Sequence, residues 1–320
     1  MGRRNNLKLY IGVLLVVAVA SYAFWLNTRF IFACQASGYS ATRYLAYCNG
    51  RNYADYEHAA FVFNLEPPSL ENAANADVLF LGNSKLQIAL SNQATDDWFS
   101  AAKARYYLMG FSYSENIAFN EFLLRRMHPR ASVFVINVDD FFSRKETLAA
   151  QSVLHDSGAE NKYQWKRFSQ SFHWRICGRF PALCGRRYVV FRSRENGAYY
   201  RIPQEEPQRP ENAAIFDRSV DEARVKESTA NAIAFLKEFA QGKCVILTDV
   251  PYAHGHTTEA EAIAKGIGLP LVTPENLDGL YTTDGLHLDR VSADRWTRAF
   301  FAAAGPEIRA CLEKHGASGS

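Results

Sequence analysis

Val78-Leu79-Phe80-Leu81-Gly82-Asn83-Ser84 is the stretch from which the fold is read. Four apolar residues in a row suit a strand buried on both faces, because a strand with one wet face alternates. Gly82 marks its end, and Ser84 opens the next segment. The cycle recurs downstream. Residues 105–109 form a second apolar run ending at Gly110, 133–138 a third running into Asp139 and Asp140, and 244–248 a fourth. Residues 269–272 give a short last one. Between them, helical spacing predicts helices over 86–99, 116–127, 220–239, 260–265 and 291–303. Strands alternating with helices imply an α/β domain with a central parallel sheet covered on both faces. Ligands in such sheets sit beyond the carboxyl ends of the strands. Ser84, Gly110 and residues 137–140 should therefore gather at one edge.

Upstream of this domain, Arg3, Arg4 and Lys8 precede a run without charge over residues 9–28. A helix crosses a hydrocarbon core in about 20 residues, and flanking basic residues favour the cytoplasmic side. This predicts a single-pass anchor in the cytoplasmic (inner) membrane over 9–28. Residues 1–8 would lie in the cytoplasm and the rest in the periplasm or outside the cell. A cleaved signal peptide is the rival, since Ala18-Val19-Ala20 before Ser21 has the small-residue spacing of a cleavage site. Tyr22, Phe24, Trp25 and Leu26 carry the apolar run past that point and favour retention. Residues 29–75 are expected to be a connector with little regular structure of its own. The domain spans 76–315, and 316–320 is a small polar tail.

An oxidising compartment gives the cysteines a use. Cys34 and Cys48 can close one small loop, and Cys177 and Cys184 another. Cys244 and Cys311, in a strand-like and a helix-like run, are expected to be buried thiols. The net charge of +3 excludes a nucleic-acid binder by bulk charge. The stretch 142–220 breaks the alternation and is taken as an insertion. Between Lys162 and Arg201 many basic residues, Arg186, Arg187, Arg192 and Arg194 among them, face a single acid, Glu195, with aromatic residues interleaved. Three readings stay open. The insertion grips an anionic glycan near the site, rests on anionic lipid, or is a solvated face.

A serine hydroxyl needs a base within reach, and that base needs an acid to fix its tautomer. Asp284-Gly285-Leu286-His287 supplies both from one loop. The Ser84 and Gly110 backbone N–H groups are candidate oxyanion donors. With these residues in this order, the chain resembles the SGNH (GDSL-type) hydrolases over about residues 76–303, the basic insertion unmatched. The resemblance implies a flavodoxin-like three-layer α/β/α fold and acyl chemistry through a serine intermediate. It makes Ser84 the nucleophile, Asp284 and His287 its partners, Gly110 an oxyanion donor and Asn137 a third donor. No cofactor or metal is called for. Outward-facing, single-span members often act on acyl groups of envelope polysaccharides. An acylated envelope glycan or other anionic polymer is thus the implied partner, with a membrane acyl-donor protein a further candidate. Asn83 stands where the family often has Asp, and Ile136-Asn137-Val138-Asp139-Asp140 replaces its Gly-x-Asn-Asp block. Lys85 and Asp140 are further candidates for substrate contact. The same fold also carries a second possibility, a non-catalytic carbohydrate-binding or assembly subunit. His254 and His256 lack an obvious third ligand and are taken as solvated.

Overall fold

The computed structural model describes residues 2–28, 31–48, 56–202, 213–214, 220–253, 255, 257–274 and 277–316. In chain order these form α1 (Gly2–Thr28), β1 (Arg43–Cys48), α2 (Tyr56–Val62), α3 (Pro67–Ala74), β2 (Val78–Asn83), α4 (Ser84–Ala89) and α5 (Asn92–Ala102). There follow β3 (Tyr106–Phe111), α6 (Ile117–Met127), β4 (Val133–Asn137), α7 (Leu148–Leu154), α8 (Ala159–Arg179), β5 (Val189–Ser193) and β6 (Tyr199–Ile202). The chain continues through α9 (Glu222–Phe239), β7 (Cys244–Thr248), α10 (Thr257–Ile267) and α11 (Arg290–Lys314).

The core is a parallel four-stranded sheet in the order β3-β2-β4-β7. Its first strand lies inside, so the chain steps to one side for β3 and crosses to the other for β4. The crevice between β2 and β4 is the switch point of the topology. Strand parity sorts the side chains. Leu79, Leu81, Phe134, Ile136 and Leu247 face a core completed by α2, α6, α9 and α10. Val78, Phe80, Val133, Val135 and Ile246 face a second core built on Phe99, Trp296 and Phe300. Both faces are covered, as continuous apolar strands require. Residues 269–272 add only a bridge at Leu271 to Leu247 rather than a strand.

The segment 29–75 corrects the expectation of an irregular connector. It supplies β1, α2 and α3, and β1 pairs antiparallel with β5 of the insertion, making a second sheet in the order β1-β5-β6. The turn after β5 docks on the exposed edge of the parallel sheet. Leu108 N–H donates to Asn196 O at 2.9 Å, and Arg192 donates to Leu108 O at 2.6 Å. Connector and insertion together protect an edge that would otherwise invite another strand.

Cys34–Cys48 and Cys177–Cys184 are disulfides, with Cα separations of 6.1 and 5.8 Å. Cys244 and Cys311, expected to be thiols, form a third that ties β7 to α11. The apolar stretch Leu7–Leu26 of α1 is exposed. An exposed apolar N-terminal helix, signal or anchor, with three disulfides beyond it marks an extracytoplasmic domain, secreted or membrane-anchored.

Candidate active site

Gly82 and Gly110 pair across β2 and β3, and both shape the turn at Ser84. A Cβ on Gly110 would stand 2.6 Å from Asn83 O and 2.7 Å from Gln87 Cβ. Only glycine lets the start of α4 press this close to β3. Asn83 caps α4, its Oδ1 accepting from Lys85 N–H at 2.9 Å. Its Nδ2 donates to Asp139 Oδ2, also at 2.9 Å, which ties the turn to the end of β4.

Ser84 Oγ lies 2.9 Å from His287 Nε2, although 203 residues separate them. On the far side of the ring, His287 Nδ1 is 2.7 Å from Asp284 Oδ2. Asp284 Oδ1 accepts the N–H groups of Leu286 and His287 at 3.0 and 2.9 Å. Burial works to raise the Asp284 pKa, but the hydrogen bond and charge of His287 and these two N–H groups outweigh it and hold it at about 2. The loop is a closed turn. Thr283 N–H bonds His287 O, Thr282 bridges Leu288, and Gly285 takes a φ of 84°, which favours glycine. A hydroxyl, an imidazole and an ionised carboxylate thus form one hydrogen-bonded chain at the carboxyl edge of the sheet.

The other site candidates fall elsewhere. The Gly110 N–H, expected at an oxyanion, donates to Gln87 Oε1 at 3.1 Å. Asn137 Oδ1 accepts from Val250 N–H at 2.9 Å, which leaves Asn137 Nδ2 a buried donor without a partner. Lys85, expected at substrate, is buried; its Nζ is 2.5 Å from Asp139 Oδ2 and 3.9 Å from the centre of the Tyr252 ring. Asp140 pairs with Arg224 at 3.4 Å. Arg186 and Arg187 are exposed, Arg187 bridging Cys34 just past α1.

Arg192 and Arg194 correct the expectation of a ligand-gripping surface. The Arg192 side chain is 0% exposed, and it donates to Glu57 Oε2 at 3.0 Å. Arg194 Nε donates to Glu66 Oε2 at 2.7 Å, and its other donors go to the carbonyls of Ala41 and Arg43. Both brace the β1–β5 sheet. His254 and His256 lie outside the described residues.

Sequence reasoning missed Glu57, Asp249 and the turn after β3. Burial pushes the Glu57 carboxyl up, but Arg192, His58 and bonds from Ser112 and Tyr199 hold it below the ordinary range. Glu57 receives the Ser112 N–H at 2.8 Å and the Ser112 hydroxyl. Tyr113 and Ser114, the next two residues, both take left-handed φ values, 66° and 54°. Backbone strain of this kind is stored where a neighbouring structure fixes it. Asp249, buried at the end of β7, is raised to about 7 by burial and by the charge of Asp139. A cleft of about 530 Å³ is lined by Ile88, Asn92, Tyr199, Tyr200, Arg290 and Val291, with Ser84, Asp284 and His287 outside its lining. Ile88 lies one helical turn past Ser84 on α4, and Arg290 and Val291 open α11 just after the loop that carries His287.

No protein-family model, no curated protein and no solved structure matches the chain.

Proposed function

We propose that this protein is a membrane-anchored serine enzyme of SGNH type, with a flavodoxin-like catalytic domain, that removes or transfers an O-acyl group on a cell-envelope carbohydrate. The observation that carries the reading is the Ser84–His287–Asp284 hydrogen-bonded chain at the carboxyl edge of the parallel sheet. His287 Nε2 takes the Ser84 proton as Oγ attacks the acyl carbonyl. Asp284, ionised down to about pH 2, fixes the ring and stabilises the imidazolium. The Ser84 N–H and Asn137 Nδ2 are the donors left for the oxyanion, Gly110 being committed to Gln87. His287 then returns its proton to the departing hydroxyl. Water or a sugar hydroxyl resolves the acyl-enzyme, giving hydrolysis or transfer.

The cleft supports a carbohydrate substrate. Its volume suits a small ligand, and tyrosine rings beside an arginine and an asparagine amide match the mixed faces of a sugar. One observation favours the non-catalytic alternative, namely that the Gly110 N–H is spent on Gln87. A fluorophosphonate probe separates the two. Mass spectrometry should find its adduct on Ser84 in the wild type. Ser84→Ala should lose the adduct and lower turnover of a small acyl ester by about 10³-fold or more. Retention of most of that turnover by a folded Ser84→Ala protein would exclude Ser84 as nucleophile.

A further inference from the structure

The buried face of α8 is formed by Tyr163, Lys166, Ser169, Gln170, His173 and Cys177. The opposite face of a surface helix is ordinarily polar. Here it carries Trp165, Phe168, Phe172, Arg175 and Arg179, spaced alternately by three and four residues, so they form one stripe. Trp165 is 43% exposed and Phe168 51%. Just past the helix, Phe180 and Leu183 are 57% and 65% exposed, and Arg186 and Arg187 follow.

The stripe also has a fixed neighbour. Phe24 of α1 packs edge-on against Trp165 and Phe172, with ring centres 6.3 and 5.0 Å away. Phe24 is two residues from the end of the apolar stretch Leu7–Leu26, or about 3 Å of helix rise. Whatever depth the end of that stretch occupies, Trp165 and Phe172 share it. Tryptophan suits a headgroup layer, and arginine can bury its stem while its charge reaches phosphate. A water-facing helix has no use for Phe168. A polymer-binding face has no reason to be seated on the end of an apolar span.

We infer that the outward face of α8 lies in the headgroup layer of the bilayer that α1 enters, with Arg175 and Arg179 on anionic lipid. This rests on the reading of α1 as a retained anchor. It gives the insertion a second attachment besides the span and holds the domain flat on the membrane.

The test uses the full chain, labelled with 5-fluorotryptophan, in nanodiscs of phosphatidylcholine and phosphatidylglycerol carrying a headgroup-region spin-labelled lipid. Single Trp→Phe variants assign the resonances. Trp25 and Trp165 should broaden together, while Trp98 and Trp296 stay sharp. Arg175→Glu with Arg179→Glu should shift Trp165 toward its undocked signal by roughly ten- to thirtyfold in ratio, the Trp25 broadening unchanged. Broadening of Trp25 with Trp165 no broader than Trp98 overturns the docking and leaves the anchor standing. Loss of the Trp25 signal from the mature protein overturns the anchor and, with it, the docking seated on Phe24. A sharp Trp165 that shifts on adding dextran sulfate assigns the face to an anionic polymer and overturns the lipid contact.

Discussion

Asn83 divides one side-chain amide between two tasks. Its oxygen caps the helix that opens with Ser84, and its nitrogen donates to Asp139. A carboxylate could do the first but would face Asp139 as a like charge in the second. That accounts for Asn rather than Asp at position 83. Asp139 is itself held by Lys85, and Asp249 completes a buried group of two acids and one base. The Asp249 pKa is raised from 3.8 to about 7, so the folded protein keeps a proton that the unfolded chain releases near pH 4. Rising pH should therefore erode stability between about pH 4 and 7 and cause no further loss from this group above that. Asp249→Asn removes the titration and should flatten melting temperature against pH in that window. An unchanged profile would show that Asp249 ionises normally. Ser84, Asp284 and His287 were legible in the sequence because each sits in a short local pattern. Asp249 and Glu57 were not, since their partners come from distant segments.

Arg192 shows how far an element can depart from its composition. Its strand lies in a stretch that counts as basic surface, yet the guanidinium is enclosed by Glu57, Leu108 O and the ring of Phe111, 4.4 Å away. Arg192→Ala should destabilise the fold by about 3–5 kcal/mol, chiefly by leaving Glu57 buried without a counter-charge. Arg186→Ser with Arg187→Ser should stay within about 0.5 kcal/mol per site, as exposed residues do. Urea denaturation midpoints compare the two. Equal midpoints would place Arg192 among ordinary surface charges. Secondary structure was most legible where a pattern is local. The strands β2, β3, β4 and β7 follow the apolar runs to within a residue or two. The predicted helix over 86–99 divides at Leu90 and Ser91, where Ser91 N–H turns to Thr297. Helical spacing predicts the last helix only over 291–303, yet α11 runs on through Pro306 to Lys314. Gly305 is needed there because a Cβ would stand 2.9 Å from Trp98 Nε1. The β1–β5 pairing joins segments so far apart that neither one announces it.

At the scale of the molecule, the Cys244–Cys311 bond spans a sequence separation of 67 residues and fastens α11 to the sheet it covers. Closing a loop of that size restricts the unfolded chain, which stabilises the fold by about 4 kcal/mol. Cys244→Ser with Cys311→Ser should lose about that much in chemical denaturation, while the Ser84 adduct with a fluorophosphonate still forms under native conditions. A loss within about 0.5 kcal/mol would mean the cross-link restricts little. Spacing could not reveal this bond. The two cysteines meet only because α11 folds back across a strand that follows an insertion.

The sequence separation of 203 between Ser84 and His287 also sets an order in time. A chain crossing a membrane from its N-terminus delivers the serine turn early and the imidazole near the end of the passage. During that interval the Ser84 hydroxyl has no imidazole beside it, so under the proposed function emerging protein has no activated nucleophile. Under the proposed function, completion of export is then what arms the molecule.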